Sequence, residues 1–526
     1  MYDCVYFSTR FFRSIAMIFY LLLAVFALWI IVFRFRRRRL YRLASLIPGP
    51  KELPIIGIAH TVRGNTEDIM RSMQRFAYES MQHNGIIRFW LGHIFYVMLV
   101  NPVDLEVVFK TCLEKDDAYR YIRKLTGNGS AFAPVSIWRQ RRKINIAALS
   151  PKIVESFIDV FSMQSEIMTK ILMDRVGNGQ FPIWPYLNRY ALDSVGETTM
   201  GVNINSQGSL NAPFLEAVNC LLNVIAERMF HLWLQPEWMF RLFPQYALYS
   251  KSKEFVYDYM DKVLKNKREE LRNRKKCETD AVQSCDLKDY QNKSLLDHLI
   301  SVSGGDKGYS DLELREEIFV MVVAGTDTSA VCMGYTLLLL GKYPLIQDKV
   351  YEELREVFGD SERPLVKEDL GKLKYLERVI KESLRLFPSV PFITRTILVD
   401  TKLPSGRILP AGSGAILSIW GAHRDPKYWG PDAEAFDPDR FLPERFKLQH
   451  ACSYIPFSNM PRNCIGYRYA MLSIKTALSS ILRRYRVVAA PEPSAAPRIR
   501  VKMDIMMKAV DDYTLALEMR QPRNIM

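Results

Sequence analysis

Residues 456–466 read PFSNMPRNCIG, a basic, turn-forming run that ends in one cysteine and a glycine. Three readings of Cys464 compete: a buried structural thiol, half of a disulfide, or a metal ligand. What the rest of the chain supplies decides among them. The eight cysteines, Cys4, Cys112, Cys220, Cys277, Cys285, Cys332, Cys452 and Cys464, are scattered and form no C-x-x-C pair. That is unlike a zinc cluster or a disulfide scaffold. It predicts a reducing compartment for the bulk of the chain, with most of these thiols as small core residues.

The 526 residues are 48% hydrophobic and 25% charged, an ordinary globular composition that can bury a large core. Length alone suggests roughly three domains of about 150 residues. No internal repeat and no second linker is found, so one large domain is expected. The net charge of +15 points to an acidic partner, an anionic membrane or nucleic acid. No arginine–aromatic nucleic-acid signature is present, which sets nucleic acid aside. Residues 11–33 are apolar with Arg13 as the sole charge, long enough to cross a bilayer as a helix. Arg34, Arg36, Arg37, Arg38, Arg39 and Arg42 follow, so the downstream chain is expected to face the cytosol. This stop-transfer-like block argues against a cleaved signal peptide. The expected organisation is a short lumenal stretch 1–10, an anchor 11–33, a basic block and hinge 34–57, and a body 58–526. The hinge contains IPGPKELPIIG, residues 47–57, a stiff, non-helical connector.

Within the body, residues 61–83 read as a helix and 85–101 as two short strands turning near Gly92. From 102 to 300 helical patterns dominate, broken at Pro134, Pro151, Pro182, Pro213, Pro236 and Pro244. The charged stretch 262–293 reads as a solvated helix end plus a mobile surface loop. The longest element starts at Ser310, where Ser310 and Glu313 fit a capping box. It continues to Leu340, with Gly341 as a stop and Pro344 beyond. Inside it sits AGTDTS, Ala324 to Ser329. A buried carboxylate is expensive, and a mid-helix glycine costs roughly 1 kcal/mol against alanine. Two such losses at one place suggest function: Gly325 opening the helix to a small ligand, Asp327 and Thr328 relaying protons. A polar kink in a core or membrane helix is the competing reading.

Three further stretches resolve the opening question. KESLRLFPSVPFITR carries Glu382 and Arg385, neighbours on one helix face. FDPDRF, residues 436–441, carries Arg440. Phe457 is followed at spacings of five, seven and nine by Arg462, Cys464 and Gly466. Singly, a Glu-x-x-Arg pair is a surface ion pair and a lone cysteine is core. Together, in this order behind AGTDTS, they resemble the cytochromes P450, the haem-thiolate monooxygenases. The resemblance is closest to the microsomal family-4 group of insect type and runs from the anchor to about residue 515.

The resemblance implies a mainly α fold with small β-sheets, one large triangular domain around a long central helix, plus an N-terminal transmembrane helix. It implies Cys464 as the axial ligand of haem iron, where a thiolate pushes electron density towards the metal. Phe457, Arg462 and Gly466 match the loop around the sulfur, with Arg462 also at a haem propionate. Trp138 and Arg142, in WRQRRK, match a W-x-x-x-R signature for propionates, and Arg395 matches another propionate arginine. Glu382, Arg385 and Arg440 match a buried charge cluster. Arg440 fits its spacing better than the arginine of PERF, residues 443–446. Thr328 resembles the threonine that steadies dioxygen and Asp327 the acid that feeds protons; Thr326 is left to local hydrogen bonding. Leu125, Phe132, Phe319, Val323 and Phe392 are the expected substrate-lining side chains, and ERMFHLWLQPEWMF, residues 227–240, the expected access lid.

Two positions depart from the pattern. Met460 stands where a glycine is expected, and a φ above zero there would strain it by about 1 kcal/mol. Ala324 stands where many family-4 members carry a glutamate that esterifies haem, so the haem b is expected to be non-covalent. The resemblance further implies electrons from NADPH through a flavoprotein reductase, with cytochrome b5 as a second partner. Arg141, Lys143, Lys447 and Arg468 are candidates for the face an acidic reductase meets. The implied substrate is an apolar small molecule (fatty acid, hormone or xenobiotic). The implied location is the endoplasmic-reticulum membrane, single-pass, with the catalytic body in the cytosol. A non-catalytic haem-binding membrane protein is one alternative, resting on Met460. A reductase-independent haem-thiolate isomerase is another, against which the Asp327–Thr328 pair stands.

Overall fold

The structure, a computed structural model, describes residues 2–209, 212–280, 294–304, 308–447 and 449–520. Its organising element is a helix from Asp311 to Lys342. The start is set locally. Ser310 Oγ accepts from the Glu313 N–H at 3.3 Å, and Glu313 Oε2 accepts from the Ser310 N–H at 3.0 Å. Asp311 and Glu313 also put negative charge where the first-turn N–H groups point. The end differs from expectation. Gly341 lies inside the helix, and Lys342 and Tyr343 close it before Pro344 opens the next helix, Pro344–Phe358. The glycine serves packing instead: a Cβ there would stand 3.0 Å from the Ala489 Cβ.

This central helix and the N-terminal helix are both long and apolar, yet they meet opposite surroundings. The apolar window of the central helix is mostly buried, as a strut through the core requires. The N-terminal helix runs unbroken from Tyr2 to Arg36, and its window Ala16–Arg36, of mean hydropathy 2.8, is wholly unburied. Beyond it Arg38–Ser45 forms a short helix, and some of the arginines touch the body. Arg37 donates to the His93 carbonyl at 2.9 Å, and Arg39 pairs with Asp400. The connector 47–57 holds turns, a bridge between Leu53 and Gly57, and a second bridge from Gly57 to Leu91.

The expected helix at 61–83 is Thr66–Gln82, capped by Asn65. The two expected strands are Ile86–Leu91 and Ile94–Leu99, turning at Gly92 with φ +60°. They belong to a four-stranded sheet whose order continues with Ser413–Ser418 and then Phe392–Ile397. The prolines act as predicted: Pro151, Pro213 and Pro244 each sit in a first helical turn, where a missing N–H costs nothing. The charged stretch continues the helix Pro244–Asp280; the rest of the expected loop, 281–293, lies outside the described residues.

Two further helices bring the chemistry-bearing segments to the central one. Trp184–Val195 crosses it so closely that a Cβ on Gly325 would stand 2.9 Å from Val195 Cγ2. The helix is continuous there, so Gly325 permits a close crossing rather than an opened turn. Tyr467–Arg484 starts directly after the cysteine loop. Lower on the central helix, a Cβ on Gly334 would meet Tyr513 ring atoms at 2.8, 2.9 and 3.0 Å. Tyr513 cannot yield, because it is stacked on Trp184 at 5.7 Å and edge-on to Tyr335 at 4.9 Å. Gly334→Ala is therefore expected to destabilise. Overpacking costs about 1–3 kcal/mol, which outweighs the roughly 1 kcal/mol that alanine gains in helix propensity. A lowered urea midpoint at unchanged slope would register it; an unchanged midpoint would contradict the packing argument.

Candidate functional site

A cavity of about 1990 Å³ lies between the central helix, the four-stranded sheet and the cysteine loop. Cys464 lies deep in the molecule with its exposed surface opening into this cavity. Its N–H donates to the Phe457 carbonyl at 2.9 Å, which folds the loop back on itself. Gly466 caps the helix Tyr467–Arg484, so the positive helix end faces the sulfur. Burial pushes the thiol pKa up, while the Gly466 N–H and the Arg142 guanidinium favour the thiolate. The strain expected at Met460 is absent: its φ is not positive, its side chain is 59% exposed, and the left-handed residue is Ser458, φ +62°. Phe457 and Gly466 line the cavity beside the cysteine.

Cations collect at one end. Arg462 donates to the carbonyls of Leu113 (2.8 Å), Ala133 (2.8 Å) and Ser130 (3.3 Å), and stacks 4.7 Å from the Trp138 ring. Arg142 donates to the Asn463 carbonyl at 3.0 Å and to its amide oxygen. Arg395 is buried and bonded to the Thr394 carbonyl at 3.0 Å, and its Nε has no hydrogen-bond partner among the described residues. Lys115 bridges to the Arg395 strand and lines the cavity. Among the described residues none of these four cations forms an ion pair with a carboxylate. Burial and mutual repulsion push Arg462 down to about 10 and hold Lys115 well below the usual lysine value. Unpaired buried cations are costly unless an anion arrives. A flat, largely apolar group bearing two carboxylates fits this lining: the cations would hold its carboxylates, and Cys464 would be free to ligate a metal it carries. Trp138, Arg142 and Arg462, expected at haem propionates, line the cavity; Arg395 stands behind the lining. Lys115 was not foreseen, for nothing in its acidic surroundings marks it.

The opposite wall is one face of the central helix. Val320, Met321, Ala324, Gly325, Thr328, Ser329 and Cys332 line the cavity, spaced by one, three and four residues. Thr328 Oγ1 donates to the Ala324 carbonyl at 2.6 Å, and Thr326 Oγ1 to Val322 at 2.8 Å. Asp327 is turned away. It is 3% exposed, pairs with Lys508 Nζ at 3.1 Å and accepts from Asn188 at 3.4 Å. Of the five expected lining side chains, Phe132 and Phe392 line the cavity. Leu125, Phe319 and Val323 do not; all three pack into the core cluster under the helices Pro213–Phe230 and Pro244–Asp280. The reason is angular: Phe319 and Val323 precede Val320 and Ala324 by one residue, about 100° around the helix. From the expected lid, Met229, Phe230 and Gln235 line the cavity, while Trp233 and Trp238 are exposed.

Behind the cysteine loop lies the charge cluster. Arg385 forms a two-pronged pair with Glu382 at 2.6 and 2.7 Å, both side chains fully buried. Its remaining N–H groups donate to the carbonyls of His423, Ala433 and Ala435. Glu382 also accepts from the Asp437 N–H at 3.0 Å, and Arg440 lies 3.6 Å from it. Arg445, from PERF, pairs with Asp437 at the surface. His423, unmarked in the sequence, bridges the cluster to the loop: Nδ1 lies 3.1 Å from the Arg385 carbonyl and Nε2 accepts from the Ile455 N–H at 2.8 Å. Burial, with Arg385 nearby, lowers its pKa to about 3, so the ring stays neutral and can accept that bond.

Of the four surface cations offered for a partner, Lys143, Lys447 and Arg468 are exposed. Arg141 is not. It is buried against Glu316 at 2.9 Å, Glu317 at 3.2 Å and Glu313 at 3.4 Å, because its helix turns it inward while Lys143 faces out.

Residues 47–514 match the family model described as Cytochrome P450. Similar curated proteins include cytochrome P450 4c3 of Drosophila melanogaster, 33% identical over 89% of this chain and 89% of its own. Cytochrome P450 4c21 of Blattella germanica is 34% identical over 89% of this chain and 93% of its own. Cytochrome P450 4V2 of Homo sapiens is 33% identical over 82% of each chain.

Proposed function

Because the chain belongs to the cytochrome P450 family and is by that membership a haem-thiolate monooxygenase, we propose that it oxidises an apolar small molecule with electrons delivered from NADPH by a flavoprotein reductase. The observation that carries this reading is the shared cavity of Cys464 and the Thr328 face, with four cations unpaired by carboxylates at its end. Cys464 would hold the haem iron, Trp138, Arg142, Arg462 and Lys115 would meet the propionates, and Arg395, behind the lining, would add its charge to theirs. Ala324 has no carboxyl to tether the haem, so it is held non-covalently. When bound, the haem supplies transfer of one atom of dioxygen to a C–H bond, the second atom leaving as water. The chain's own part is positioning and proton handling. Phe132, Phe392 and Val320 form an apolar wall that displaces water from the substrate. The Thr328 hydroxyl at the cavity face, which donates to the Ala324 carbonyl here, is the proposed proton carrier, and Asp327 would resupply it only by turning from Lys508 towards the cavity. Fatty acids, hormones and xenobiotics all suit such a wall.

The unburied helix and its arginines support a single-pass anchor of 11–33 in the endoplasmic-reticulum membrane, with a cytosolic body beyond 58. Lys143, Lys447 and Arg468 would meet an acidic reductase or cytochrome b5, with no role for nucleic acid. The test begins with the carbon monoxide difference spectrum of the reduced protein in membranes. A strongly red-shifted Soret band is expected; a band at the neutral-ligand position would remove the thiolate and the reading with it. Turnover with NADPH and reductase then separates a monooxygenase from a haem-binding protein or an isomerase.

A further inference from the structure

Glu317 is fully buried on the central helix, outside the cavity lining. It accepts from the Ser130 N–H at 2.9 Å, from Asn145 Nδ2 at 2.6 Å and from Arg141 at 3.2 Å. Asn145 also donates to Ser130 Oγ at 3.0 Å, and Arg141 to the Asn128 carbonyl at 2.6 Å. The segment 128–133 is thereby tied to the central helix at several points. It lies so close that a Cβ on Gly129 would stand 2.4 Å from Val320 Cγ2 and 2.6 Å from the Glu316 carbonyl. Ser130 is the pivot. Its N–H donates to Glu317, its hydroxyl oxygen accepts from Asn145, and its carbonyl accepts from Arg462. Ala133 supplies the next carbonyl on Arg462.

From this chain of contacts we infer that Glu317 is a positioning residue for Arg462, and through it for the haem carboxylates; this rests on the haem reading above. The competing role, a counter-ion for Arg141, is already filled by Glu316 at 2.9 Å and Glu313 at 3.4 Å. The shortest bond Glu317 makes is to the neutral Asn145. Arg462 is held by three backbone carbonyls and the Trp138 ring, with no carboxylate among the described residues, so its charge stays free for a ligand, but its direction depends on the segment that carries two of those carbonyls. Without Glu317 the Ser130 N–H loses its acceptor and the Asn145 amide one of its two, and the segment must move to find water.

A double-mutant cycle tests this on the haem-loaded protein, reading the rate at which haem passes to excess apomyoglobin. Glu317→Ala and Arg462→Ala are each expected to speed haem loss on the order of 10-fold, the scale of one charge-assisted bond lost. The double variant should be no faster than Arg462→Ala alone, because the two act in series. Glu317→Gln, which keeps one oxygen for Ser130, should fall between wild type and Glu317→Ala. Effects that multiply in the double variant would make Glu317 a core residue with no bearing on Arg462 and overturn the inference. Should Glu317→Ala not fold, Asn145→Ala replaces it in the same cycle with the same two outcomes. The cycle reads haem retention and not ligation, so it can fail while the carbon monoxide band stays red-shifted, and the reverse.

Discussion

Arg385→Leu is expected to yield chain without haem. The substitution leaves Glu382 charged and fully buried with Arg440, 3.6 Å away, and the Asp437 N–H as its remaining compensation among the described residues. Removing one partner of a buried pair costs about 3–5 kcal/mol, against a total stability of roughly 5–15 kcal/mol. Replacing both partners by apolar residues can be harmless elsewhere. It is not expected to be so here, because Arg385→Leu with Glu382→Leu also strands the carbonyls of His423, Ala433 and Ala435 and the Asp437 N–H. Each stranded group costs about 1–3 kcal/mol. Lysine does not restore the fork, since one ammonium cannot replace a planar donor set. Haem content per chain and the urea midpoint check this. A double leucine variant that binds haem with a wild-type midpoint would show that the cluster is dispensable.

Cys464→Ser is expected to act in the opposite way, with chemistry lost and fold kept. The contact that shapes the loop is the Cys464 backbone N–H on Phe457, which serine retains, and the side chain opens into the cavity. The stability change should stay within about 1 kcal/mol. The red-shifted carbon monoxide band should disappear and turnover with reductase fall below detection, since a hydroxyl does not replace the electron donation of a thiolate. Retained turnover would assign the iron to another ligand. A large loss of stability would assign the cysteine to the core.

The features legible in the sequence were those whose geometry is local. The Ser310–Glu313 cap lies within one turn, Glu382 and Arg385 are three apart on one helix, and the strands around Gly92 share a tight turn. The features that escaped depend on distant chain. Lys115 and Arg395 are brought side by side by strand pairing across 280 residues of sequence, and His423 acts on Ile455. Arg141 escaped for an angular reason. In WRQRRK successive residues step about 100° around the helix, so Arg141 turns to the central helix, Arg142 to Asn463 and Lys143 to solvent. Residue type alone cannot choose among three such neighbours. Leu125, Phe319 and Val323 failed likewise, since an apolar side chain declares burial but not which buried surface it joins.

The three carbonyls on Arg462 have a consequence in time. Leu113 and Ala133 precede it by 349 and 329 residues. A ribosome adding 5–20 residues per second needs about 17–70 s to cover that distance. Through that interval the early wall, with Lys115 and Trp138, exists without the arginine it will hold or the cysteine two residues beyond it. The nascent chain thus has both the cations and the apolar residues of the early wall before it has the arginine and cysteine that complete the site, and it can close the site only when its final stretch is made.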